Sequence, residues 1–519
     1  MHLADTLIIA AYLAALVGIG VFVSRRQRTT DTYFVAGRTV PGWAAGLSLL
    51  ATIITSLTFI AFPGAAYSGN WNLLVPNLLF IAVIWIIGPI IVPFFRHAVS
   101  MSVYEYFGKR FGPGVRMYAS FAFAAGHFAK MGFVFYLLAL AVSGFTGWPV
   151  IPLIVCLGVI TVFYTFIGGL RAVIWTDVVQ GFLLFAGIAV TLAILLLGRH
   201  AQPAAMFHLI AANHKTSLGS YRFNLAQPTV WTMSLYGFFY YLQKYTADQT
   251  VVQRYLAARS DRSALHGIQM GATLCLPVWV SFMLIGSLLW AFYQLAGHAP
   301  AAAAARPDQV FPFFMVTQMP VGVAGLFLAA LFGAAMSMLA SDLNCLGLIL
   351  VEDFYSHFFP ARTDAQRLRF GKLAVVVCGA LAITVSLCVT ATHGSALALY
   401  YAAASIVAGG LAGLFLLAFL SRRASRAAAV AGIAVSLIFT VYATLTLDGG
   451  QILNLHRYNF PWSEYTIGVF SNLLLLGVGL ACATLFPATV ALPSTGTLWS
   501  WLADRKRSSL STTYAGNAR

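Results

Sequence analysis

The chain has 519 residues, 60% of them hydrophobic and only 8% charged, and its mean hydropathy is +0.85. Soluble domains carry about 25% charged residues, so the composition excludes a soluble globular protein and indicates a polytopic membrane protein. The net charge of +16 could suggest a nucleic-acid partner, but its distribution along the chain argues against one.

Apolar runs of spanning length mark the expected helices. Thirteen are expected, at 4–23, 43–67, 73–95, 116–144, 149–167, 173–198, 230–251, 268–297, 321–350, 371–392, 396–420, 427–446 and 464–486. The first is followed by "SRRQR" with no small-residue cleavage site, so it is a retained span and not a signal peptide. The run at 43–67 is interrupted by "ATIITS" and "FPG", and the run at 230–251 is rich in tyrosine and polar residues. Interrupted spans of this kind mark binding sites in transporters. The segment 199–229 is a longer outside loop, "PAAAAARPD" at 300–308 is an outside loop or surface helix, and the tail from Ser494 is polar and flexible.

Of the 30 lysines and arginines, 23 fall in one alternating set of loops, with the C-terminal tail, and 5 in the opposite set. The positive-inside rule then places the N-terminus outside and the C-terminus in the cytoplasm. The basic residues form a collar facing anionic lipid, so a lipid bilayer is the expected partner and nucleic acid is not. Only Lys130 and Lys244 lie within expected spans. An ammonium at mid-membrane depth is costly and faces a cavity, a partner or a substrate. The six cysteines all lie in apolar stretches without a close C-x-x-C pair, as small core residues do.

At 168–187 the chain reads "GGLRAVIWTDVVQGFLLFAG": a Gly-Gly turn, one arginine, then Trp-Thr-Asp-x-x-Gln-Gly opening a helix. This closely resembles the signature of the sodium/solute symporter family. "DTYFVAGRTVPGW" (31–43) resembles the approach to that family's first broken helix, "DQTVVQRYLAARS" (248–260) the far end of its second, and "AAMSMLASDLN" (334–344) the helix carrying its sodium ligands. The resemblance extends from about residue 5 to 486. It implies an all-α, LeuT-like fold of two inverted five-helix repeats with about 13 transmembrane helices. The implied divisions are a first helix and loop at 1–42, repeats at 43–198 and 230–420 joined by the loop 199–229, two further helices at 421–486 and a cytoplasmic tail at 487–519.

The resemblance also implies sodium as the coupling ion. Sodium needs oxygen ligands, and the family's pattern places carbonyls at Ala51, Ile54 and Ala334 and a hydroxyl at Ser337. The next hydroxyl position is occupied by Met338, a departure that removes one oxygen. A second sodium set would involve Asp177, Ser337, Ala340 and Ser341, but Ala340 has no side-chain oxygen. Asp342 adds a carboxylate that either pairs with a neighbouring helix or takes part in cation or proton coupling.

Near the first break, Thr55, Ser56 and Thr58 are available to a solute. The sugar-transporting members carry Asn, Glu and Gln where this chain has Ile53, Leu57 and Thr58, which argues against glucose-type recognition. "TSLTF" and "AAYSGNW" resemble the sialic-acid branch more closely, and the arginine that holds a carboxylate there corresponds to Lys130 in "KMGFVFYLLALA". Lys130 is then a substrate counter-charge, a structural partner of Asp342, or a snorkelling lysine. Asn77 corresponds to a substrate-contacting position. Lys244 is a gate, a substrate contact, a partner of Asp248 or a vestibule lysine, and His127 is a packed polar residue or one that tunes Lys130.

The expected function is sodium-coupled symport of a small organic solute, anionic in one reading, into the cell. The alternative, prompted by Met338, is a transporter of the same fold coupled to protons or uncoupled. A transporter-like sensor would need a soluble output domain, and the residues after 486 hold no such pattern. No nucleophile–base pair, metal-ligand cluster or cofactor loop suggests an enzyme.

Overall fold

The computed structural model describes residues 3–24, 27–198, 202–297, 307–320, 322–391, 409–447, 453–485 and 496–505. These are almost wholly helical. The principal helices are α1 (Leu3–Ser24), α2 (Gly42–Ile53), α3 (Ser56–Ser68), α4 (Leu74–Ala98), α5 (Pro113–Thr146), α6 (Val150–Leu197), α7 (Val230–Ala247), α8 (Gln249–Ala257), α9 (Asp261–Leu295), α10 (Val323–Ile349), α11 (Asp364–Ala391), α12 (Leu411–Leu420), α13 (Arg426–Leu445) and α14 (Glu464–Leu485).

Among the described residues, nine helices are long and apolar enough to cross a membrane, or ten if α2 and α3, bent by 57°, form one span. The difference from thirteen lies in particular places. The runs expected at 149–167 and 173–198 are the two halves of α6. A straight 48-residue helix would be about 70 Å long, more than twice the hydrocarbon thickness. It is divided at Gly169, where φ is 57° and ψ −162°, a conformation only glycine adopts easily. The run at 230–251 is two helices, α7 and α8, parted at Asp248 (φ −102°, ψ 113°). Most of the run at 396–420 lies outside the described residues, and only α12 represents it. Most of 300–308 and of the tail is likewise outside them. The tail's residues 496–505 are not free: Tyr106 donates to the Gly496 carbonyl at 2.8 Å, and Trp501 packs edge-on against Phe94.

Two groups of helices enclose the centre. The first joins α2, α3, α4 and α8 to α9, with α7 packed on α4, and the second joins α1, α5, α6 and α11 to α10. Glycine sets the approach in the first group. A Cβ on Gly46 would lie 2.2 Å from the Gly267 carbonyl oxygen, and one on Gly271 would lie 2.2 Å from that of Gly46. Gly42-x-x-x-Gly46 on α2 therefore meets Gly267-x-x-x-Gly271 on α9 backbone to backbone, the small-residue contact typical of membrane helices. In the second group, Asp5 of α1 accepts from the N–H groups of Gly322 and Gly325, both at 2.8 Å, and so caps the start of α10. A main-chain bridge links the approach to α2 with the end of α8: Val40 N–H donates to the Ala257 carbonyl at 3.0 Å, and Arg259 N–H to the Val40 carbonyl at 3.1 Å.

The close approach at Gly271 is testable. Gly271→Leu forces backbone apart and should cost about 1–3 kcal/mol, the usual range for overpacking. Thermal unfolding in detergent reads this directly, and a variant as stable as the parent would contradict the packing.

Candidate functional site

The site begins where the first broken helix ends. The run Thr52-Ile53-Ile54-Thr55 is β-branched throughout, which stiffens side chains against the helical turn. Thr52 turns its hydroxyl back to the Ser48 carbonyl at 2.8 Å, a bond that competes with regular helix. The helical ladder closes with Ile54 N–H on the Leu50 carbonyl and resumes with Thr58 N–H on the Thr55 carbonyl, each at 2.9 Å. Between them, Thr55 N–H donates to the Thr58 hydroxyl at 3.3 Å. Such a break frees carbonyls of the last turn, and Ala51 and Ile54 stand in that turn. Ser56, at the first position of α3, is fully buried, and its hydroxyl has no protein partner among the described residues.

Across from the break runs α10, buried along almost its whole length. It carries Ala334, Ser337, Met338, Ser341 and Asp342, all buried. Thr52 Oγ1 lies 3.3 Å from Ser341 Oγ, so α2 and α10 meet through their hydroxyls. The proposed first sodium set thus divides between the two helices facing each other here, with the Met338 thioether in place of a hydroxyl.

Asp177 lies on α6, beyond the Gly169 kink, with no solvent exposure. It accepts from Ser48 and Ser337, each at 2.5 Å. The side chain that completes this cluster is Arg254 of α8, also fully buried. Its guanidinium donates to Thr52 and Ser341, both at 2.6 Å, to Ser48 at 3.2 Å and to the Thr250 carbonyl. One nitrogen stands 3.5 Å from Asp177 Oδ2. Asp177, Ser337 and Ser341, the proposed second sodium set, are brought together, but a cation belonging to the chain already stands among them. Arg254 is a correction to the loop count, which placed it in the basic collar. The only signal for it was an arginine within "TVVQRYLA", a run with no other charge.

A second cluster lies around Asp342. Lys130 Nζ stands 3.1 Å from its Oδ1 and 3.0 Å from its Oδ2. His127 Nδ1 lies 2.8 Å from Oδ1. The other ring nitrogen of His127 lies 3.4 Å from Asp248 Oδ2, and Lys244 Nζ lies 2.6 Å from the same oxygen. The order Lys130–Asp342–His127–Asp248–Lys244 is a continuous chain across α5, α10 and the α7–α8 break. Its two lysines and two aspartates balance. The Asp342 side chain has no solvent exposure, while that of Lys130 is 33% exposed. Asn77 of α4 is engaged at both ends: its amide donates to the Leu73 carbonyl at 2.8 Å and its oxygen accepts from the Tyr241 hydroxyl. The sequence signalled neither the Tyr241 contact nor the His127–Asp248 link.

Two broken helices meeting a small-residue helix, with ionic groups at the breaks, are the architecture of a secondary transporter. The fold agrees: the nucleobase–cation symporter Mhp1 in a closed conformation superposes with a TM-score of 0.58 at 18% identity, covering 91% of this chain and 98% of that one. A solved substrate-bound, outward-open Na+-coupled sialic acid symporter superposes with a TM-score of 0.86 at 31% identity, covering 94% of this chain and 99% of its own. The sodium/sialic acid symporters NanT of Aliivibrio fischeri and SiaT of Proteus mirabilis are each 32% identical to it. The alignments cover 92% of this chain in both cases, and 92% and 94% of those proteins. The profile of the sodium:solute symporter family matches residues 33–436, and the chain belongs to that family. It is a sodium-coupled symporter of a small solute and not an enzyme.

The Arg254 cluster has a measurable consequence. Arg254→Met leaves Asp177 buried without its cation and should cost about 3–5 kcal/mol. Adding Asp177→Asn should recover much of the lost melting temperature. No recovery in the double variant would show that the two side chains are not energetically paired.

Proposed function

We propose that this protein imports a carboxylate-bearing sugar acid, of the sialic acid type, together with sodium. The observation that carries the reading is Lys130: a mid-span ammonium whose side chain remains one-third exposed although Asp342 lies against it. A point charge that its buried partner leaves partly exposed suits a solute carboxylate. The names of the relatives at 32% identity support the same solute class.

In this reading the solute lies at the first break, with Thr55 and Thr58 offering hydroxyls, Asn77 an amide and Lys130 the counter-charge. Sodium binds at the carbonyls of Ala51, Ile54 and Ala334 and the hydroxyl of Ser337. It thereby bridges a broken helix and α10, so ion occupancy favours the conformation in which the solute site is complete. Asp177 and Ser341 belong to a second cation position that Arg254 fills, which supports coupling to a single sodium. Asp342 and Lys244 act in coupling or gating, joined to each other through His127 and Asp248. Thirteen crossings in two inverted repeats, at 43–198 and 230–420, place the N-terminus outside and the C-terminus in the cytoplasm. The segments 1–42 and 199–229 are the leading helix with its loop and the outside loop, and 421–486 and 487–519 are the added helices and tail.

Uptake into proteoliposomes tests the reading. Sialic acid should accumulate only under an inward sodium gradient, and transport indifferent to sodium would refute it. A charge-assisted contact is worth about 1.5–3 kcal/mol, so Lys130→Ala should weaken sialic acid binding about 10- to 150-fold while the protein stays folded. Met338→Ser restores an oxygen and should strengthen apparent sodium affinity. If sodium titration of solute binding gave the same midpoint in both proteins, position 338 would not limit the ion site.

A further inference from the structure

His127 stands at the middle of the charge chain, and the transport reading leaves it without a role. Its ring stacks on Phe123, with centroids 3.8 Å apart, which fixes its plane. The charged groups facing it are Asp342 from α10 and Asp248 from the α7–α8 break, with Lys130 on its own helix and Lys244 on α7 behind them. Asp248 is held independently, by Lys244 at 2.6 Å and by Thr250 through its N–H at 2.9 Å and its hydroxyl at 2.5 Å. Asp342 is not: among the described residues its donors are Lys130 and His127. A carboxylate oxygen only accepts, so the contact of 2.8 Å between Nδ1 and Asp342 is a hydrogen bond with the proton on Nδ1.

A carboxylate without solvent contact cannot give up its only cation, because its charge would be stranded in a dry site. A lysine locked to it in this way would be useless to a solute. The imidazole changes that balance. It draws part of the Asp342 charge onto a second donor and keeps that carboxylate hydrogen-bonded when the ammonium leaves. We propose that His127 is a positioning residue for solute binding: it retains Asp342 while Lys130 turns to the carboxylate of an anionic solute. The inference rests on the reading of Lys130 given above, and it assigns the preference for an anionic solute to three side chains instead of one.

The test uses the full chain in proteoliposomes, with sialic acid as probe. His127→Leu should raise KM for sialic acid about tenfold, the scale of one charge-assisted hydrogen bond, with kcat and sodium affinity retained. His127→Asn, whose amide can donate to Asp342, should restore most of the loss. In a Lys130→Gln background, His127→Leu should cost nothing further. An unchanged KM, a joint fall of kcat and sodium affinity without rescue by asparagine, or losses that simply add to those of Lys130→Gln would overturn the proposal. If the parent protein does not take up sialic acid, the solute reading fails, and melting temperatures decide this inference separately. Lys130→Gln should then destabilise the protein far more with Leu at 127 than with His, because only there does Asp342 lose both donors. Equal penalties in the two backgrounds would refute the role of His127.

Discussion

A guanidinium without solvent contact organises the centre of this molecule. Arg254 must find a counter-charge and acceptors inside the protein, because burying it unpaired would cost far more than any fold of this size can spare. It finds them on three other elements: Ser48 and Thr52 on α2, Asp177 on α6 and Ser341 on α10. The second broken helix is thereby drawn against the first, and both against α10. The arginine lies six residues beyond the break at Asp248, so the position of that break is set by the same requirement.

The two polar clusters share a backbone without merging. Ser337 and Ser341 are four residues apart and lie on one face of α10, toward Arg254 and Asp177. Asp342 is one residue further, turned about 100° around the axis, and meets Lys130 and His127. One helix thus carries a hydroxyl face that meets a guanidinium and its counter-charge and a carboxylate face for an ammonium and an imidazole. Its remaining positions are largely Ala, Gly, Leu and Met, which lets neighbouring helices approach from every side and explains why so little of it reaches the surface.

Composition made the membrane class legible, and four ordered motifs made the family legible. The breaks were legible as well, since "ATIITS" and the tyrosine-rich run at 230–251 depart visibly from plain apolar helix. The kink that divides α6 was visible only as "GGL", because a glycine pair does not reveal its dihedral angles. Arg254 was misplaced for a physical reason: a loop count assigns every arginine near a helix end to water, and only three-dimensional packing shows that acceptors await it inside. The partners of Lys130 were half legible. Asp342 stood out as a buried carboxylate, but the step through His127 to Asp248 joins residues more than a hundred positions apart, which no local pattern encodes.

The bridge between Val40 and the end of α8 has a consequence of its own. Both of its hydrogen bonds run between main-chain atoms, so they are indifferent to which side chains stand at 40, 257 and 259. Packing still limits what stands at 40 and 257, where Val40 and Ala257 are buried, but the tether itself rules out a single replacement at 40 or 259, proline, which has no N–H to give. A mechanical joint of this protein is therefore written in a form that residue identity does not record.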